Sequence, residues 1–476
     1  MMHSFRILPF LIFMGLTLSF TACTNASKEA EESNGEDPWE AIPALLEQIK
    51  KPTFRDKDYM VTDFGAVGDG VTDCTDAFKK AIEACHSEGG GRVVVPAGNF
   101  LTGAIHLKSN VNLHVVKDAT VSFSTRPADY LPLVFTRWEG VELMGYSPLI
   151  YAFEQQNIAI TGEGTLDGRA NETNWWPWKG NKHYGFKEGM PSQLDKNQRA
   201  TLFEMAEEGV PVAERKFGAG SYLRPQFVQP YRCENVLIEG VTIINSPMWM
   251  LNPVLCTNVT IEGVTVTSNG PNNDGCDPES CKNVLIKDCF FNNGDDCIAI
   301  KSGRNADGRR LNTPSENIII QNCRMANGHG GVVIGSEISG GVRNVYAENC
   351  TMNSPELDRA LRIKTNTARG GIIENIFMRN IEVGQVKEQT IIATMIYEDT
   401  GSYMPVIRNI DVRNMKVKQG GKTGILLEGY KESPIQNVRL TNITIDGVEQ
   451  PYRLINATGI DTRNVTINGK KIDVMK

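Results

Sequence analysis

The sequence predicts an all-β chain wound into a parallel β-helix with a short N-terminal capping helix. Three observations carry that prediction. An Asn followed by an aliphatic residue recurs at Asn235-Val236, Asn258-Val259, Asn283-Val284, Asn317-Ile318, Asn344-Val345, Asn375-Ile376, Asn409-Ile410, Asn437-Val438 and Asn464-Val465, at separations of roughly 23 to 34 residues, the period of a solenoid coil with variable loops. Between these anchors run short alternating strands broken by Gly, Asn or Asp, as from Asn235 to Ile244. No helical periodicity separates the strands, so stacking coil on coil is the remaining way to bury their apolar faces.

Taken from the N-terminus, Arg6 followed by the apolar run Ile7 to Phe20 reads as an export signal, too short and too early for a membrane span. It ends in Phe20-Thr21-Ala22-Cys23, which resembles the bacterial lipobox and implies lipidation at Cys23. Simple secretion is the alternative. The expected division is a leader over residues 1–23, an acidic tether and linker over 24–55, and the β-helix over 56–476 with an insertion at about 169–225. The expected location is that of an exported bacterial lipoprotein on the outer membrane, facing the periplasm or the cell surface.

Thr75 can cap an amphipathic helix carrying Ala77, Phe78, Ala81, Ile82 and Cys85, ended by Gly89-Gly90-Gly91. Such a helix would cover the open first coil, with its exposed strand edges. Asp69, Asp73 and Asp76 read more readily as turn and capping acids than as a metal site.

Six positions after the anchors stand Val241, Val264, Cys289, Cys323, Cys350, Ile381, Met415 and Ile443. A column mixing thiols with aliphatics is an inward-facing stack in which Cys acts as a small hydrophobe, so disulfides there are not expected. Cys276, Cys281 and Cys297 stay open on this point. Ten positions after the anchors, Asn245, Ser268, Asn293, Asn327 and Ser354 suggest a ladder of polar side chains bonded from coil to coil.

Composition bounds the chemistry. The chain has 476 residues, 41% of them hydrophobic and 22% charged, with a net charge of -7, which suits a globular protein with a large core and argues against a general nucleic-acid binder. No nucleotide loop, zinc spacing or redox pair stands out, so no cofactor and no metal is implied.

The candidate site lies in four successive segments, Asn272-Asn273-Asp274-Gly275, Gly294-Asp295-Asp296, Gly328-His329-Gly330 and Arg362-Ile363-Lys364. Asp295 is twelve positions after Asn283 and His329 twelve after Asn317, which places both at one turn of adjacent coils, about 4.8 Å apart. Asp274 precedes Asp295 by 21 positions, close to one coil. Paired carboxylates suit glycosidic cleavage, where one donates a proton while another activates water; an inverting pair is roughly 6.5 to 9.5 Å apart. Crowding also raises the pKa of at least one acid. Cations nearby suit a sugar that is itself an acid. Singly, each Asp is as readily a turn residue; the shared phase is what groups them.

Together these motifs resemble the polygalacturonase family of glycoside hydrolases, family 28, most like its bacterial exo-acting members. Asp63 to Gly70 and Gly162 to Gly168 extend the resemblance, which runs from about Asp63 to near the C-terminus. It implies a right-handed, single-stranded, pectin-lyase-like β-helix and inverting cleavage of α-1,4-galacturonosyl linkages. It implies further that Asp295 is the general acid, that Asp274 and Asp296 hold the attacking water, and that His329 orients the acid. Arg362 and Lys364 would bind the substrate carboxylate, Asn272 would position the sugar, and Tyr397, in a strand taken as Ile391 to Tyr397, would lie near the leaving group. Asn273 departs from the Thr found in many members.

The intact pair Asp295-Asp296 with Arg362 and Lys364 favours galacturonate on both sides of the bond over rhamnogalacturonan or xylogalacturonan. The insertion, with Trp175, Trp176, Trp178, His183, Tyr184, Arg199, Arg215 and Arg224, is expected to wall one end of the groove and so favour exo-action. A pectic polysaccharide or oligogalacturonide, a lipid anchor in the membrane and a monomeric state are the expected associations. A calcium-dependent pectate lyase and a non-catalytic carbohydrate-binding β-helix are the rival classes. Neither explains the Asp-Asp and Gly-His-Gly motifs.

Overall fold

Strands of successive coils pair in parallel from Asp58 to Ile467 and rise as a β-helix. The structure, a computed structural model, describes residues 37–473 and Met475; the expected leader and Cys23 lie outside them. One long sheet of 23 strands carries the anchors. Its register follows the repeat, with Val236 opposite Val259, Val259 opposite Val284, Val284 opposite Ile318 and Ile318 opposite Val345. A six-stranded sheet built from Ile298–Ile300, Val332–Ile334, Arg359–Lys364, Gln389–Thr394, Gly421–Glu428 and Val448–Ile455 forms another wall of the coil. The core between the walls is one continuous stack of buried aliphatics, Phe, Met and Cys. No described helix is long and apolar enough to cross a membrane.

The polar ladder exists, but at the anchors themselves. Each anchor Asn bonds the one below through its side chain, Asn258 to Asn235 at 3.1 Å, Asn283 to Asn258 at 3.3 Å, Asn317 to Asn283 at 3.0 Å, and on to Asn437. All sit at positive φ, 56 to 59° from Asn235 to Asn437, a conformation Asn tolerates because its short side chain bonds locally. The column ten positions on forms only in part: Asn245 bonds Asp167 and Ser354 bonds Asn327 on the adjacent coil, whereas Ser268 bonds Asn273 of its own loop and Asn293 bonds Met250. Asn464 also falls outside the anchor column, because Val438 pairs with Ile460, and Asn464 bonds Asn442 in a parallel ladder.

The capping helix spans Thr75–Ser87 and buries the five expected residues. Its cap differs. Thr75 is the first helical residue, and the accepting side chain is that of Asp73, which takes the Thr75 backbone N–H at 2.9 Å and its hydroxyl at 2.6 Å. Gly90 follows at a φ of 94°, where a Cβ would meet the Asn110 carbonyl at 2.4 Å. Within the stretch expected to be linker, Ile42–Gln48 is helical, and Lys51 ties that segment to Glu239 and Glu262 of consecutive coils at 2.6 and 2.7 Å. All ten described cysteines are free and buried, Cys276, Cys281 and Cys297 among them.

Two additions interrupt the coils. Val134–Trp138 and Val141–Gly145 form an antiparallel hairpin, to which Lys216–Phe217 of the insertion adds in parallel. The insertion also holds a helix, Gln198–Glu207, and regular coils resume at Val228–Tyr231.

Candidate active site

Parallel register brings the four motifs together on one outer face. The Gly275 N–H donates to the Asp296 carbonyl at 2.9 Å and the His329 N–H to that of Asp295 at 3.1 Å, so Asp274, the Asp pair and His329 occupy successive rungs. In Arg359–Lys364, alternation turns Ile363 into the core and leaves Arg362 and Lys364 on the outer face. These residues, with Asn272 and Tyr397, line a cleft of about 220 Å³.

Asp274, Asp295 and Asp296 each offer an oxygen within 4.8 Å of the others. This is tighter than the roughly 6.5 to 9.5 Å expected of an inverting pair, because the backbone bonds above hold the Asp274 loop flush with the next coil. Asp274 is buried, and burial followed by the charge of Asp295 pushes its carboxyl up to about 7. Burial would also raise Asp296, but Lys364 at 2.8 Å and Arg362 at 3.2 Å hold it well below the usual carboxylate range. Asp295, with a fifth of its side chain exposed, is likewise opposed by burial, yet the His329 hydrogen bond at 2.9 Å lowers it. His329 in turn is raised to about 9 by that hydrogen bond and the charge of Asp295. Asp295 Oδ1 accepts from both His329 Nδ1 and the Asp296 N–H; among the described residues Oδ2 has no hydrogen-bond partner. One cluster therefore holds an acid that keeps its proton to neutrality, a carboxylate fixed as an anion, and a third oxygen open to the cleft.

Arg362 and Lys364 are thus already engaged by Asp296 rather than standing free. Tyr397 lies beneath both cations, its ring centroid 5.5 Å from Arg362 and 5.2 Å from Lys364. It is not in a strand; the strand ends at Thr394, and the Tyr397 carbonyl is held by Asn366 at 2.6 Å. Asn272, at a φ of 54°, accepts through Oδ1 from Lys179 at 2.8 Å and Arg224 at 2.9 Å. Asn273 is fully buried and braces the loop, its amide donating to the carbonyls of Ser246 and Met248, each at 3.1 Å.

Several lining residues escaped sequence reasoning. Lys301 is buried 3.4 Å from each of Asp274, Asp277 and Glu337, with its ammonium 4.5 Å from the Trp249 ring centroid. Arg304 reaches Glu337 at 3.1 Å and Glu139 at 3.7 Å, and Arg199 of the insertion bonds Glu139 at 2.6 Å. The register offered a signal for Lys301: Ile300 pairs with Ile334 and Ile334 with Ile363, which puts Lys301 in the column of Lys364. Glu139 comes from the hairpin and has no repeat to announce it. The insertion lies at the cleft, as expected, through Lys179 and Arg199. Arg224 is buried and bonds the carbonyls of Pro247 and Pro271 at 2.8 and 2.6 Å. Arg215 lies elsewhere, paired with Asp307 at 2.9 Å.

Comparison with known proteins agrees with this geometry. The family model for glycosyl hydrolases family 28 matches residues 213–466, and one described as rhamnogalacturonase A/epimerase, pectate lyase-like, matches residues 59–114. The chain is 28% identical over 440 residues to an exo-poly-alpha-D-galacturonosidase of Dickeya chrysanthemi, covering 86% of this chain and 70% of that one. It is 29% identical over 411 residues to a probable polygalacturonase of Vitis vinifera, covering 81% and 73%. The crystal structure of a hyperthermoactive exopolygalacturonase from Thermotoga maritima superposes with a TM-score of 0.89 at 48% identity, over 92% of this chain and 97% of that one.

Proposed function

The chain belongs to glycosyl hydrolases family 28, and from that premise we propose that it hydrolyses α-1,4-galacturonosyl linkages of pectin, removing terminal residues by inverting acid–base chemistry. It is a glycosidase acting on pectic polysaccharide, and the relatives named exo-acting support the terminal mode. The observation that carries the reading is the cluster of Asp274, Asp295 and Asp296 within 4.8 Å, flanked by His329 and by cations.

Asp295 protonates the glycosidic oxygen through its open Oδ2 as the bond from that oxygen to the anomeric carbon breaks. The proton comes from Asp274, which holds it in the free enzyme. Its transfer leaves Asp274 ionised beside Asp296, so that the two carboxylates hold the water that attacks the anomeric carbon. That water returns a proton to Asp274, and the resting state is restored. Arg362 and Lys364 occupy both oxygens of Asp296, which suits it to polarising water and not to forming a covalent ester. They share their charge with the substrate carboxylate, Tyr397 packs against the leaving-group sugar, and Asn272 positions the sugar through its amide. His329 fixes the Asp295 rotamer.

Substitution Asp295→Asn is expected to lower kcat by at least about a hundredfold with the fold retained. Early products of a long oligogalacturonide should be monosaccharide, and the first-formed anomer by NMR should be inverted. Full turnover by the Asn variant, or retention at the anomeric carbon, sinks the mechanism; preferential turnover of rhamnogalacturonan oligomers sinks the substrate. Membrane attachment through lipidated Cys23, with the catalytic domain acting as a monomer, completes the proposed picture. Radiolabelled palmitate incorporation that survives Cys23→Ser would refute the anchor.

A further inference from the structure

The cations of the cleft are unequally compensated. Asp296 takes Arg362 and Lys364, three carboxylates surround Lys301, and Arg199 and Arg304 share Glu139. Lys179 differs. Among the described residues no carboxylate stands within ion-pair distance of its ammonium, whose hydrogen bond goes to Asn272 Oδ1 at 2.8 Å. It is half-buried in the wall of the same cleft. Burial lowers its pKa, with the charge of Glu139 opposing. A partly dehydrated ammonium lacking a counter-ion is costly in an empty cleft and gains most when an anion arrives.

The segment holding it is rigid. Trp175 and Trp178 pack edge to face at 4.9 Å, Trp178 packs on Tyr222 at 5.1 Å, and Trp176 Nε1 donates to the Ser246 carbonyl at 2.9 Å. The ammonium therefore waits in place, with little side-chain ordering left to oppose binding. Lys179 and Arg224 together also consume the Asn272 Oδ1, which leaves the amide N–H groups as donors toward a sugar hydroxyl.

We propose that Lys179 is a specificity-determining residue that takes the carboxylate of the galacturonate ending the chain, on the side of the cleft walled by the insertion. The assignment rests on the exo-acting reading above and names the residue that selects a uronate terminus over a neutral one. An ammonium paired only by substrate discriminates strongly, because a methyl-esterified terminus leaves it desolvated and unpaired.

The test uses the wild type, Lys179→Gln and Lys179→Arg on trigalacturonate and on the same trimer with its terminal carboxylate methyl-esterified. Gln removes the charge and keeps an N–H donor toward Asn272, with a side chain one atom shorter. Its KM for trigalacturonate should rise roughly tenfold to a hundredfold with kcat within about threefold of wild type, and Arg should restore most of the loss. On the esterified trimer wild type and Gln variant should converge. An unmoved KM overturns the assignment, as does a fall in kcat with KM intact, which would make Lys179 a support for Asn272. A ladder of intermediate oligomers from the wild type acting on a long oligogalacturonide would instead remove the exo reading, and with it the terminal placement.

Discussion

Replacing Lys301 with Met tests whether the acid cluster is tuned from beneath. Its ammonium stands 3.4 Å from Asp274, Asp277 and Glu337, and all four side chains are buried. At an effective dielectric near 20, the attraction to Glu337, which its cations hold ionised, is worth about 5 kcal/mol before desolvation is counted, while burial holds Asp274 and Asp277 toward their protonated forms. Losing one partner from a buried ionic group leaves a net cost of about 3 to 5 kcal/mol. Burial alone would lower the Lys301 pKa, yet Glu337, Asp274 and Asp277 together raise it well above its ordinary value, so the ammonium is charged throughout the working range. Lys301 is also the foremost cation opposing the rise of Asp274. Without it, the Asp274 carboxyl must climb further above about 7, and the alkaline limb of kcat/KM should move up by about one pH unit or more. Urea unfolding and a pH–rate profile on trigalacturonate measure the two effects separately. A limb that stays where it was while stability falls would make Lys301 purely structural. A limb that moves down would refute the proton inventory assigned to the cluster.

Two further substitutions probe the same inventory. Asp274→Asn should cost at least about a hundredfold in kcat and yet stabilise the fold at alkaline pH. The folded carboxyl titrates at about 7 against an ordinary 3.8, so the native state binds the extra proton and wild-type stability falls as pH rises through that window. The gain should reach at most about 4 kcal/mol above pH 7 and vanish near pH 4; urea unfolding at both pH values checks it, and equal gains at both would contradict the burial of that charge. His329→Gln removes the cation that holds Asp295 down, so the alkaline limb should rise while kcat falls about tenfold to a hundredfold. In the wild type the stability contributed by His329 is fully present below 6.5 and lost as pH rises through about 9. An imidazole NMR titration giving an ordinary value for His329 would remove the ion pair from the mechanism.

What could be read in the sequence was whatever repeats with the coil. Anchors, core columns and catalytic motifs recur at one period, and one period per rung is the condition for parallel register, so phase alone placed Asp295 beside His329. The Asn ladder was recognised as a ladder but placed ten positions beyond the anchors, where it forms only in part. Both turns are rich in Asn and Ser, and what separates them is the backbone: the anchors take the left-handed conformation in nearly every coil, stacking their amides in line, while the later column meets loops of unequal length. Thr75 misled for a similar local reason. Asp73, two residues earlier, offers a better acceptor to the same helix start.

Unlike Lys301, which lies in the column of Lys364, other residues that stayed hidden are contributed from outside the period. Glu139 arrives on a hairpin and Lys179 on the insertion, and neither has a counterpart one coil away. Their side chains nevertheless meet the repeat at Arg304 and Asn272. This division has a functional consequence. The rungs must hold the three carboxylates in strict register, so the chemistry is confined to positions that the coil itself dictates. The insertion answers to no such constraint, and it can change which chain ends enter the cleft without moving a catalytic oxygen. Recognition of the terminus and cleavage of the bond are therefore carried by separately variable parts of one chain. It follows that the effect of Lys179→Gln on KM and that of Lys301→Met on the pH profile should add in the double variant, because the two side chains share no direct partner. Coupling of more than about 1 kcal/mol between them would show that the wall and the acid cluster move as one unit.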